Sequence, residues 1–205
     1  MIKVIIQGQP YSVPSSIEDI SIGRFIEFRN LDPNNHLDKI HWLLNAKPIF
    51  KQTSSIELEL ANTLAIAKPC IDEIYAFMNN KAKNQTPTHI EVLGETFELK
   101  KGLLNDLPYW PYVVTKSIII KNLENTNFDP TDDIPKVLAH YLYNYITKNE
   151  YTEKKAEEFI DIVNDIPMAK AIPLGVFFLK KQQSLWKSSK NSLQAKLNRT
   201  MLKLV

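Results

Sequence analysis

Glycine and cysteine are scarce in this sequence. Five glycines in 205 residues leave little for the positive-φ loops that cradle phosphate. Neither a Gly-x-Ser-x-Gly elbow nor a glycine-rich phosphate loop occurs, so nucleotide-dependent and serine-hydrolase chemistry is not expected. The single cysteine, Cys70, excludes an intramolecular disulfide and a thiolate zinc site within one chain, which fits a reducing compartment. Long apolar runs are missing as well: the longest, Ile172 to Leu179, has eight residues against the roughly 20 needed to span a bilayer. The opening Met1-Ile2-Lys3-Val4-Ile5-Ile6 turns polar at Gln7 before a signal core develops, so neither export nor membrane insertion is expected. Arginine is rare, three against 22 lysines, which weakens base and phosphate recognition through forked guanidinium groups.

Acidic residues are absent from residues 170–205, where seven lysines (170, 180, 181, 187, 190, 196 and 203) and Arg199 give +8. Residues 1–169 then hold 17 cations and 23 carboxylates, a net −6, so an overall +2 conceals an acidic body and a basic C-terminal arm. With 44% apolar and 23% charged residues the body can bury an ordinary core. The 23 isoleucines and 17 asparagines against 11 alanines read as the bias of an AT-rich genome rather than as chemistry.

Period-two alternation predicts a hairpin over residues 2–14. Ile2, Val4 and Ile6 lead into Gly8, Tyr11 and Val13 return on the same parity, and Pro14 ends the strand. Residues 88–99 repeat the arrangement through Ile90, Val92, Gly94, Phe97 and Leu99. Aligning Gly8 with Gly94 superposes these positions and, with one insertion, matches Ile22 to Tyr109, Phe25 to Tyr112 and Ile26 to Val113. An internal duplication of a hairpin–helix unit and a chance recurrence of apolar alternation both fit.

The remainder reads mostly as helix. Ser21 caps a segment to about Asn30, and Leu37, Ile40, Leu43 and Leu44 mark a short helix after Asn34-Asn35. Ser54 with Glu57 makes a capping box before a long stripe (Ile56, Leu60, Leu64, Ala67, Ile71, Ile74 or Tyr75, Met78) that Pro69 should kink or divide. Pro108 to Leu123 suits a helix or a buried strand, with the repeat favouring helix. Ile134, Leu138, Tyr141 and Tyr145 share a face, Thr152 caps a further helix carrying Phe159, Ile160 and Val163 inward, and Pro173 begins a final one. The expected class is therefore mainly α with two small β-hairpins (α+β). The expected parts are 1–80, 88–169 after a polar linker, and the basic helical arm 170–205. The expected core includes Phe25, Leu44, Leu60, Leu64, Ile71, Ile74, Leu138, Tyr141, Phe159 and Val163.

No catalytic, cofactor-binding or metal-binding residue is assigned. His36, His41, His89 and His140 are scattered without the i, i+4 spacing of a helical zinc site. Cys70, following Pro69 in an apolar stripe, reads as a buried inert thiol. Glu153, Glu157, Asp161 and Asp165 form an i, i+4 ladder with no second ladder to complete a cation site, so a solvated ridge or a docking surface for a basic segment is the better reading. The candidates for partner contact are aromatics beside lysines: Phe177, Phe178, Lys180, Lys181, Leu185, Trp186, Lys187 and Lys190, with Trp110 at an aromatic corner between two prolines. Packing on the chain's own core is the competing reading for all of them.

The stretch Ile2 to Pro14 (IKVIIQGQPYSVP), followed by Ile17 to Ile26 (IEDISIGRFI), resembles the starts of small proteins encoded among the structural genes of tailed bacteriophages, including crAss-like phages of gut Bacteroidetes. Ile172 to Leu179 (IPLGVFFL) is similar to segments of the same group. The resemblance covers about 35 residues and brings no site residue with it. It implies a non-enzymatic virion component, such as a head–tail or tail part or a packaged internal protein, or else a tail-assembly chaperone. Other phage structural proteins or copies of itself would be the partners, and the virion or the host cytoplasm during assembly the location. A nucleic-acid-associated protein binding through residues 170–205 is the alternative, and an enzyme ranks third.

Overall fold

A computed structural model of the chain describes residues 1–32, 34–48, 50, 51, 53, 55–79, 86–99, 109–123 and 130–181. The chain is mainly helical with two small antiparallel two-stranded sheets, the α+β class expected.

Strands β1 (Ile2–Ile6) and β2 (Gln9–Val13) pair from Ile2↔Val13 to Ile6↔Gln9 around Gln7-Gly8. Strands β3 (His89–Val92) and β4 (Glu95–Glu98) pair from His89↔Glu98 to Val92↔Glu95 around Leu93-Gly94. Both turn residues have positive φ in each case, 50° and 76° in the first, 54° and 76° in the second, the type I′ geometry whose twist matches the flanking strands. The burial pattern also repeats: Val4 and Ile90, Ile6 and Val92, and Val13 and Leu99 are buried, while Tyr11 and Phe97 are half-buried.

The two turns differ in what holds them. The Gln7 backbone N–H donates to Glu59 at 2.7 Å, its side-chain amide donates to the Lys51 carbonyl at 2.6 Å, and the Lys51 N–H donates back to it at 3.2 Å. Leu93, the matching residue, is 71% exposed. A leucine in the left-handed region carries a steric penalty that asparagine or glycine largely escapes. Leu93→Asn is therefore expected to stabilise the protein by up to about 1 kcal/mol. Gln7→Asn should destabilise it, because the contacts to Lys51 are lost. Thermal or denaturant midpoints of the two variants read this difference in sign directly.

Helix α1 (Ile22–Arg29) is capped by Ser21, whose Oγ accepts from the Arg24 N–H, and α2 (His36–Leu44) by Asn35, which accepts from the Leu37 and Asp38 N–H groups at 3.1 Å. Arg24 and Trp42 join them. The Trp42 Nε1–H donates to the Arg24 carbonyl at 2.7 Å, the Arg24 guanidinium donates to the Trp42 carbonyl, and the guanidinium lies 4.8 Å from the Trp42 ring centre.

Helix α3 (Ile56–Asn79) runs unbroken through Pro69, at the cost of the one hydrogen bond that proline cannot donate. Ser54 of the expected capping box lies outside the described residues. The buried stripe of α3 is Ile56, Thr63, Ala67, Cys70 and Ile74. Leu60, Leu64 and Ile71 flank it half-buried, and Tyr75 faces outward with its ring 5.9 Å from Phe28. The stripe thus mixes small residues with isoleucines, and α3 packs against β1 and α2.

Residues 109–123 form helix α4 (Tyr109–Leu123). The central element is α5 (Ile134–Thr147), with ten residues buried from Ile134 to Ile146. At about 1.5–3 kcal/mol for each large apolar side chain removed from water, this helix anchors the fold. The single helix expected after Thr152 is instead divided into α6 (Glu153–Glu158) and α7 (Ile160–Asn164). At the break the Phe159 N–H is shared between the Lys155 and Ala156 carbonyls while its ring packs edge-on to Tyr143 at 5.7 Å.

The final helix, α8, occupies 168–181 of the described chain and so begins five residues before Pro173. Its start is set by tertiary pairing. The Met168 N–H donates to the Ile20 carbonyl and the Ile22 N–H to the Ile166 carbonyl, both at 2.8 Å, in an antiparallel bridge of Ser21 with Pro167. The Pro167 carbonyl then accepts from Ala171 at 2.9 Å, opening the helix.

Candidate functional site

The inner stripe of α8 is Met168, Ala171, Leu174 and Phe178, all buried. Phe178 is 1% exposed and stacks on Tyr141 of α5, with ring centres 4.5 Å apart and planes inclined by 12°. The ring is therefore occupied by the chain's own core. Phe177 is half-buried and meets Phe178 edge-on at 5.5 Å. Val176 and Lys180 are exposed, and Lys181 is partly so. Leu185, Trp186, Lys187 and Lys190 lie outside the described residues. Trp110 lies in the first turn of α4, remote in sequence from the α8 residues, and its side chain is not among those described. Over 168–181, then, the arm is seated on the body by its apolar face and turns its lysines outward.

Glu153, Glu157, Asp161 and Asp165 are all exposed, on α6, α7 and the residue after it. Among the described residues no three histidines, cysteines or carboxylates are grouped to hold a metal ion, and no helix is long and apolar enough to cross a membrane. Cys70 is buried, and burial, with Glu73 adding to it, pushes its thiol up to about 11, so it remains protonated at neutral pH.

Two features escaped the sequence reading. A groove of about 940 Å³ lies between α2 and α3, walled by His41, Pro48, Phe50, Ile56 and Leu60. The His41 ring stacks on Phe50 at 5.7 Å, and its Nε2 is buried without a partner. A second, smaller groove of about 430 Å³ shares Pro48, Phe50 and Lys51 and reaches Tyr11 of the first hairpin. The connection from α2 to α3 thus stands between two grooves, held to Gln7. The sequence signal was the apolar Pro48-Ile49-Phe50 within the connection.

The other is His140, next to Tyr141 on α5 and so about 100° round the helix from it. It is 1% exposed, its Nδ1 lies 2.8 Å from the Tyr151 hydroxyl, and its Nε2 has no partner. Burial lowers its proton affinity below the ordinary value near 6.5, against the opposing pull of Glu153 and Glu157. Burial and the same two carboxylates push the Tyr151 hydroxyl up to about 12, so it remains protonated. Because the unfolded chain takes up a proton near pH 6.5 and the folded chain resists it, stability is complete above that pH and falls as pH drops below it. The unfolding midpoint should decline between pH 7 and 5, and His140→Gln should flatten that part of the profile.

Comparisons with protein-family models, curated proteins and solved structures find no match to this chain.

Proposed function

We propose that this chain is a non-enzymatic component or assembly factor of a tailed-phage particle that works through protein–protein contacts. The observation that supports this reading is that the first stretch carrying the resemblance, residues 2–26, is tied to the start of the helix that holds the second, residues 172–179. Ile20 to Ile22 pairs with Ile166 to Met168 at the start of α8, so segments some 145 residues apart are tied by the two backbone hydrogen bonds of one antiparallel bridge. The opposed charges of body and arm add to it, because they suit docking between unlike protein surfaces.

Mass spectrometry of purified particles of the encoding phage tests the reading. The expected result is peptides from this chain at a constant ratio to the other particle proteins. Absence from particles combined with co-purification with a phage structural protein from infected cells would select the tail-assembly chaperone. Absence from both would overturn the proposal. Binding to DNA or RNA whose log affinity falls by about 0.7–0.9 per log unit of salt for each phosphate neutralised would favour the nucleic-acid alternative.

A further inference from the structure

Each hairpin has one edge closed and one open. Beside a two-residue turn the first cross-strand pair is hydrogen-bonded and the pairs then alternate, so in every second pair the backbone N–H and C=O groups point away from the partner strand. In the first hairpin those residues are Lys3 and Ile5 on β1 and Pro10 and Ser12 on β2; in the second they are His89 and Glu91 on β3 and Thr96 and Glu98 on β4. The Leu99 N–H, donating to the Thr88 carbonyl at 2.7 Å, continues the second ladder in this phase. β2 is closed at Pro10, which has no N–H to offer. β4 is closed at the Glu98 carbonyl, which accepts from the Tyr145 hydroxyl while Phe97 meets the Tyr145 ring edge-on at 6.2 Å. The outward backbone groups of β1 and β3 have no hydrogen-bond partner among the described residues, and Lys3, Ile5, His89 and Glu91 are all exposed, Ile5 to 70%. An open strand edge is a template for a further strand.

The two hairpins form separate sheets within the chain, so these edges are left for pairing between copies. Three antiparallel pairings would use the outward groups. β1 on β1 of a second copy sets Lys3 opposite Ile5 and diagonal to the other Lys3, and β3 on β3 sets Glu91 opposite His89 and diagonal to the other Glu91. β1 on β3 sets Lys3 opposite Glu91 and Ile5 opposite His89, and carries the exposed Met1 towards the exposed Leu93 at the tip of the second hairpin. Opposite charges facing across a strand pair favour association and like charges oppose it, which selects the mixed pairing. We infer that the protein self-associates head to tail, the β1 edge of one copy adding to the β3 edge of the next to make a four-stranded antiparallel sheet. Because the two edges differ, each pairing leaves one β1 and one β3 edge free, and association runs on as an open chain or closes as a ring. The paired edges are short, below the size of a stable interface, so the association is weak and concentration-dependent. It rests on the two edges and is independent of the phage reading.

Analytical ultracentrifugation of the full-length protein between about 10 µM and 1 mM is the test. The expected result is an average mass that rises with concentration past that of a dimer. Ile5→Pro and Glu91→Pro each remove one outward N–H and no hydrogen bond of the hairpin, as Pro10 does naturally, so circular dichroism should show both variants folded. Each should be monomeric alone. An equal mixture of the two should form a dimer and go no further, since the first still offers β3 and the second still offers β1. Where a proline disturbs a hairpin, charge reversal gives the same reading: K3E and E91K should each weaken association about three- to tenfold, and the doubly substituted K3E/E91K should recover it. Loss of association in only one of the two edge variants would assign the contact to a two-fold β1 or β3 pair and overturn the inference. So would association that none of these substitutions alters, a mixture that stays monomeric, or a protein monomeric throughout the range, which would leave the edges to strands of another protein.

Discussion

A chain ended after Lys170 is expected to aggregate or to fail to reach a folded monomer. The deletion removes Ala171, Leu174 and Phe178, all buried, and with Phe178 the stacking surface of Tyr141. Losing a buried phenylalanine side chain typically costs about 3–5 kcal/mol and a leucine about 2–5 kcal/mol. Those losses together rival the whole stability of a domain, about 5–15 kcal/mol. Tyr141, Leu138 and Ile134 would face water along one side of the central helix, an apolar strip of the kind that drives association. A chain ended after Lys181 keeps every contact of α8 described above and is expected to remain folded. Size-exclusion chromatography and thermal unfolding of the two truncations measure the difference. If the 1–170 protein is monomeric and unfolds cooperatively, and lacks only a salt-sensitive affinity for DNA or RNA, the arm is a nucleic-acid element and its seating on α5 is dispensable.

Gly175→Val should destabilise the protein by roughly 3 kcal/mol, at the upper end of what overpacking a filled core costs. A Cβ at Gly175 would lie 2.7 and 2.8 Å from Ile134 Cγ2 and Cγ1 and 3.2 Å from its Cβ. Ile134 is buried and β-branched at the start of α5, so its methyls cannot swing aside as the end of a flexible chain would. Glycine in mid-helix is otherwise unfavourable by about 1 kcal/mol relative to alanine, and here its use follows from the close approach of α8 to α5. The pair is testable by a double-mutant cycle. With Ile134→Ala the space is vacated, and the doubly substituted protein should lose at least about 1 kcal/mol less than the sum of the single losses. Strict additivity would show that α8 is not seated on Ile134.

Much of the secondary structure was legible because its causes are local. Gly8 and Gly94 sit where a two-residue turn demands positive φ, and the alternating residues around them need only their neighbours to choose a face. Ser21 and Thr152 cap the helices expected of them, Thr152 accepting from the Lys155 N–H. Where local rules were followed too literally, tertiary contacts changed the outcome. Pro173 looked like a helix start, yet α8 begins at residue 168 because Ile20 supplies an acceptor for the Met168 N–H. Thr63 and Cys70, less apolar than Leu60 or Tyr75, lie on the buried stripe of α3 with Ile56 and Ile74, because the orientation of the helix in the fold, not hydropathy residue by residue, decides which side chains are enclosed. Of the partner-contact candidates, Phe178 proved to be a core residue, a choice that helical spacing alone left open between the chain's own body and another protein. His41, half-buried, and His140, buried, are packed against Phe50 and Tyr151 from other segments.

By itself the sequence determined the two hairpins, most of the helices, and the separation of an acidic body from a basic arm, because turn chemistry, periodicity and charge act over a few residues or are simply summed. Tertiary structure alone decided that residues 20–22 pair with 166–168, that α8 packs on Ile134 and Tyr141 of α5, and that His140 is enclosed while Glu153 and Glu157 are exposed. Each of those outcomes depends on which surfaces fit against one another across the chain. An amphipathic stripe specifies that a face must be covered, but the shape and hydrogen-bonding groups of the covering segment decide which one covers it.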